Sequence, residues 1–228
     1  MRYIFARTTN VERFLVAMER LHHRQRGIPG MALVYGEPGL GKTKTALWWI
    51  AQNGGVFIRT KKLMTGRWLL EEIVAELGEA PMRRISDLFR QAQEQLLENP
   101  RTIFVDEADY LSHDSRVLET LRDLHDITGV PIILIGMDQA DKKLARYKHL
   151  YDRFSEIVHF KPLTEQDIKI IAEQLCEVAL SPDAIAFIAS QTNRFRRVLL
   201  WLYKAEAIAK ANSLKIINAT HLRNGLGK

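Results

Sequence analysis

The sequence has one cysteine, seven prolines and thirteen glycines among 228 residues, and aromatics make up only 8% of it. A single cysteine excludes an internal disulfide framework and a Cys-rich zinc site. So little glycine and proline, beside 46% hydrophobic and 26% charged residues, excludes a collagenous, low-complexity or disordered chain. No apolar run approaches the roughly 18 to 20 residues that span a bilayer, and Met1-Arg2-Tyr3-Ile4-Phe5-Ala6-Arg7 has no signal-peptide core. The expectation is a cytoplasmic protein with no membrane partner. An acidic excess is missing as well: 33 Lys and Arg against 27 Asp and Glu give +6, which admits a polyanionic partner. Cys176 lies among apolar residues with no base beside it, the setting of a small core residue.

What is present is organised. At roughly 150 residues per domain, the length fits a principal domain with a smaller appendage. Thr9 and Glu12 can form a capping box for a helix carrying Val11, Phe14, Leu15, Met18 and Leu21. Met31-Ala32-Leu33-Val34-Tyr35 is too short for a helix and is bounded by turn formers, so it reads as a buried strand. Val56–Ile58, Thr102–Val105, Pro131–Ile135 and Ile157–Phe160 are further strands, and helical periodicities separate the first four. Strands alternating with helices imply a five-stranded parallel sheet in an α/β fold. After Pro162 the pattern is purely helical, with Thr164 and Ser181-Pro182 as helix starts. Residues 1–163 are thus expected to form the α/β domain and 164–228 an all-helical appendage.

Gly36-Glu37-Pro38-Gly39-Leu40-Gly41-Lys42-Thr43-Lys44 follows the first strand and opens a helix. That context gives the G-x-x-x-x-G-K-T pattern its mechanism. The glycines let backbone N–H groups close on phosphate oxygens, the helix N-terminus adds positive potential, Lys42 reaches the β and γ phosphates of ATP, and Thr43 can ligate Mg²⁺. The third strand ends in Asp106-Glu107. Beside a triphosphate, Asp106 can hold Mg²⁺ and Glu107 can polarise the attacking water.

Asp106-Glu107-Ala108-Asp109 behind a P-loop, with a further strand and a helical tail, resembles the AAA+ ATPase superfamily over nearly the whole chain. The resemblance implies a P-loop AAA+ core with a helical lid. It also implies a polar sensor at the tip of the fourth strand; Ile135-Gly136-Met137-Asp138 departs from that pattern, leaving Asp138 as the substitute or the sensor degenerate. Tyr151-Asp152-Arg153-Phe154 resembles the segment that donates an arginine finger to a neighbouring subunit, with Arg146 the rival candidate and an ordinary surface cation the plainer reading. Asn193-Arg194-Phe195-Arg196-Arg197 resembles the motif that places a lid arginine on the nucleotide, Arg196 fitting best and Arg197 one position away.

The polar loop with Lys61, Lys62, Thr65 and Arg67, and the later pair Arg83 and Arg84, carry the groups that backbone phosphate contacts use. A solvated basic surface is the competing reading. The ordered set of motifs is similar to the transposition regulators of the MuB, TnsC and IstB type. That resemblance implies rings or helical filaments of ATP-bound subunits around double-stranded DNA, which mark a target and recruit a transposase. Only about thirty residues precede the P-loop strand, so targeting information is expected from a partner, a target-selection protein. A loader or remodeller of replication proteins, and a slowly hydrolysing nucleotide-gated scaffold, are the alternatives.

Overall fold

In the computed structural model, which describes residues 1–2, 4–25 and 27–224, the first apolar run is a buried strand as its composition predicts. Tyr3, Arg26 and 225–228 lie outside the described residues. The chain runs α1 (Thr9–His22), β1 (Met31–Gly36), α2 (Lys42–Asn53), β2 (Val56–Arg59), α3 (Gly66–Glu76), α4 (Ile85–Glu98) and β3 (Ile103–Asp106). A 3-10 turn at Ala108–His113 leads into α5 (Ser115–Thr128), β4 (Ile132–Ile135), the short helices α6 (Ala140–Leu144) and α7 (Lys148–Tyr151), and β5 (Phe154–Phe160). The five strands form one parallel sheet in the order β2-β3-β4-β1-β5.

Two compact units divide the chain, one of Phe14–Gly36 and Lys42–Phe160, the other of Met1–Arg13, Glu37–Gly41 and the segment from Lys161 onward. In the first, β3 and β4 are buried at every position, which is why both read as unbroken apolar runs. Leu69, Ile73, Leu88, Leu96, Leu118 and Leu121 bring α3, α4 and α5 into the same core, each buried side chain contributing roughly 1.5–3 kcal/mol. Trp49 of α2 is the tryptophan that turns inward, 5.4 Å from Phe104 and 5.3 Å from His22. His22, exposed at the end of α1, bonds to Met18 O at 2.7 Å and to Thr102 Oγ1 at 3.0 Å.

The second unit adds α8 (Glu165–Leu175), β6 (Ala179–Leu180), α9 (Pro182–Gln191), α10 (Phe195–Ala211), β7 (Ile216–Ile217) and α11 (Ala219–Asn224). It is therefore not all-helical. β6 and β7 pair in parallel, and strands of two residues are too short to show a period in sequence. Ser181 spends its side chain on this ladder and on Asp183, so it starts α9 without capping it. Burial raises the thiol of Cys176 to about 11, which leaves it unreactive at neutral pH.

Asp167 organises this unit. It completes the capping box of α8 with Thr164 and also receives the N–H and hydroxyl of Thr9 at 2.7 and 2.9 Å. The box expected between Thr9 and Glu12 does not form: Thr9 is already the first residue of α1, and the Glu12 N–H donates to Thr8 O at 3.0 Å. Burial alone would raise the Asp167 carboxyl; the bonds from Thr9 and Thr164 outweigh it and hold the pKa below the ordinary aspartate value. Asp167→Ala leaves those donors unmet and is expected to cost about 2–4 kcal/mol at pH 7 in urea denaturation. With the folded pKa depressed, this contribution is complete above the unfolded value near ~3.9 and is lost as pH falls through the folded one. The gap between wild type and variant should close in acid; a gap that persists there, or none at pH 7, would refute the assignment.

Candidate active site

Parallel strands end on one side of the sheet, and this edge collects the acidic pair, the tip of β4 and the start of α2. Lys42, at the first turn of α2, donates from Nζ to Gly36 O at 2.8 Å. Burial pushes its ammonium below the ordinary lysine value, against the opposing pull of Asp106, Asp109 and Asp138. A desolvated cation ringed by carboxylates gains when further anionic oxygens reach it.

Thr43 Oγ1 donates to Asp106 Oδ2 at 2.9 Å, while Asp106 Oδ1 accepts the Glu107 N–H at 3.0 Å. A hydroxyl and a carboxylate oxygen converging in this way form a hard, oxygen-only donor set, which fits Mg²⁺. Arg59, at the end of β2, reaches the same Oδ2 at 3.3 Å. Glu107 has φ 58°, a left-handed conformation that costs a non-glycine residue roughly 1–2 kcal/mol. The hydroxyl of Thr60 holds it there, placed 2.9 Å from Asp106 O and 2.7 Å from Glu107 O.

In the other unit, the loop segment Glu37–Gly41 lies with the start of α10. Arg194 pairs with Glu37 at 2.8 Å, and the Arg196 N–H donates to Gly39 O at 3.1 Å. Arg196 and Arg197 themselves are exposed. Gly39 and Gly41 have φ +84° and +101°, the backbone that turns a phosphate loop, and Leu40 is buried between them while Pro38 precedes the turn.

Arg153 does not join the cis groups. Its carbonyl accepts the Met31 N–H, so it stands at the opposite end of β1 from Gly36, roughly 17 Å away at ~3.3 Å per residue. Its guanidinium is bidentate on Asp126, with contacts of 3.0–3.2 Å. Asp138 faces His159 at 3.5 Å, and that ring stacks on Tyr35 at 4.5 Å. Of the basic candidates, Lys61 pairs with Glu72 and Arg67 with Glu71, while Thr65 caps α3 through the Trp68 N–H. Lys62, Arg83 and Arg84 are exposed and form no ion pair among the described residues. Arg83 and Arg84 lie beyond the far end of α3 from Lys62, whose 11 residues span roughly 16 Å at ~1.5 Å each.

The AAA domain family matches residues 25–144. This chain belongs to that family. It is 29% identical over 153 residues to the ATP-dependent target DNA activator B of Escherichia phage Mu, a match covering 63% of this chain and 48% of the relative. It is 27% identical over 154 residues to the Mu-like prophage FluMu DNA transposition protein B of Haemophilus influenzae, covering 63% and 53%. The chain thus spans about half the length of the curated relatives it matches. Among solved structures, the ORC2 protein of Aeropyrum pernix superposes with a TM-score of 0.70 at 16% identity, over 97% of this chain and 72% of that one. The RuvB branch migration motor of Thermotoga maritima gives 0.65 at 19%, over 97% and 69%. The fold is that of the P-loop AAA ATPases, and it implies nucleotide binding. Arg59 and Thr60, which touch the Asp106-Glu107 pair, and, within the other unit, Arg194, which touches Glu37, are neighbours that the motifs did not single out; strand order brings in the first two and side-chain reach the third.

Proposed function

We propose that this chain is an ATPase that assembles on double-stranded DNA without sequence preference and regulates transposition by selecting target DNA and engaging a transposase. The observation that carries the reading is the placement of the basic loop: it leaves β2 directly after Arg59 and Thr60, the two residues that touch the Asp106-Glu107 pair. The likeness to the phage Mu target DNA activator supports it.

In this reading the 36–44 loop and Lys42 bind the phosphates of ATP, and Glu107 accepts the proton of the attacking water. Mg²⁺ held by Thr43 and Asp106 neutralises phosphate charge when bound. Arg153 is too far from Lys42 of its own chain, so it serves a neighbouring subunit, released from Asp126 or aligned by it, with Arg146 as the rival. Arg196, or Arg197, reads the nucleotide from the lid, and Asp138 lies near the strand tip as a further polar group. The homo-oligomer is a ring or filament, and a target-selection protein supplies specificity.

Electron microscopy with duplex DNA tests this directly. Rings or filaments threaded by DNA are expected with ATP or a slowly hydrolysed analogue and not with ADP; oligomers indifferent to DNA would overturn the reading. Lys62, Arg83 and Arg84 are the cations ready for phosphate, so their triple alanine variant should bind more weakly to all sequences alike. The slope of log affinity against log salt should fall by about 0.9 for each phosphate that the variant no longer neutralises. An unchanged slope would remove these residues from the DNA surface. The slow-scaffold alternative rests on Met137, a non-polar side chain 48% exposed at the tip of β4.

A further inference from the structure

Met137 leaves the tip of β4 without a polar side chain, but its backbone is held by one. Glu107, in its left-handed conformation, reverses the chain after β3, and the fully buried Ala108 anchors the turn that follows. Asp109 then points across to β4, where its Oδ2 accepts the Met137 N–H at 2.5 Å. Its side chain is only 11% exposed, and Lys143 Nζ lies 4.0 Å from its other oxygen.

Gly136 makes this approach possible. A Cβ at that position would stand 3.0 Å from Asp109 Oδ2 and would collide with the Ala140 side chain. On the other flank the Gly136 N–H donates to Val34 O at 2.9 Å. The strand tip is therefore fixed on both sides, to β1 by its own backbone and to the Glu107 turn by a carboxylate. The charge of Asp109 also reaches Lys42, which sets it in the same electrostatic neighbourhood as Asp106.

We infer that Asp109 is a positioning residue that locks the Gly136-Met137 backbone to the turn carrying Glu107, so that the strand tip is held through its main chain. The inference rests on the ATPase reading above and adds to it a residue that acts through Glu107 and the β4 tip. A lock of this kind acts on the rate of the bound complex rather than on nucleotide affinity.

The test measures phosphate release and ATP affinity separately, with duplex DNA present. Asp109→Ala is expected to lower kcat at least about tenfold while leaving ATP affinity within about threefold. Asp109→Asn keeps an oxygen acceptor at the same reach and should stay within about threefold of wild type in both. Asp109→Ala with wild-type kcat would overturn the inference, and so would Asp109→Asn falling as far as Asp109→Ala, since charge alone would then be at work. Should Asp109→Ala fail to melt cooperatively, Asp109→Glu replaces it: an acceptor displaced by one methylene is expected to lose at least about tenfold, and parity with Asp109→Asn would overturn the lock. A wild-type protein that releases no phosphate would sink the ATPase reading itself. An active wild type unaffected by these changes would sink only the role of Asp109.

Discussion

Lys42→Ala is expected to abolish ATP-dependent assembly on duplex DNA, with ATP affinity falling on the order of 100-fold or more. The reason lies in the state of the ammonium. It is already partly buried and donates to Gly36 O, so part of the cost of taking it out of water has been met in the fold rather than at binding. Truncating one partner of a buried, hydrogen-bonded charge pair typically costs about 2–5 kcal/mol, which is where the magnitude comes from. Calorimetric titration with ATP and co-pelleting with DNA check it. A variant that still pellets with DNA in an ATP-dependent way would mean that phosphate recognition does not run through Lys42.

Glu107→Gln should behave in the opposite sense. Glutamine has nearly the same shape, Thr60 still holds the backbone of residue 107, and Asp106 and Thr43 are untouched, so ATP binding should be unchanged. What disappears is the carboxylate proposed to accept a proton from water, a role that commonly contributes about 10²–10⁴-fold. Phosphate release should fall by that factor, and assemblies on DNA should persist for correspondingly longer. Turnover like that of wild type would assign the base elsewhere. The two variants together separate binding from hydrolysis: one cannot enter the assembled state and the other cannot leave it.

The parts of this site legible in sequence were those whose chemistry is local. The 36–43 loop carries the groups proposed to bind phosphate on consecutive residues, and the Ile103–Asp106 strand announces its acidic end by its own hydrophobic run. Arg59 and Thr60 were not legible, because their nearness to Asp106 depends on β2 lying beside β3, a fact of strand order. Arg194 was passed over for Arg196 because neighbouring arginines at a helix start look alike until their reach is known; here Arg194 takes Glu37 and Arg196 offers its backbone. The helices α6 and α7, of five and four residues, and the β6–β7 ladder are shorter than the window in which periodicity declares itself. The sequence marked Thr164 as a helix start, but the double use of Asp167, which closes the box there and also takes Thr9, joins residues far apart in the chain.

The first glycine of the phosphate loop differs in kind from the two that follow. A Cβ at Gly36 would run into the carbonyl oxygen of Phe160, the last residue of β5, whereas at Gly39 and Gly41 the nearest atoms stand 3.8 and 3.9 Å away. In a library of all single substitutions, Gly36 should therefore score as a loss of protein abundance, because any side chain wedges apart two paired strands. Gly39 and Gly41 have space but left-handed backbones, so their variants should persist in the cell and fail at their task. One motif, read as a single unit in sequence, thus divides under selection into a position guarded by the sheet and positions guarded by the loop's own curvature.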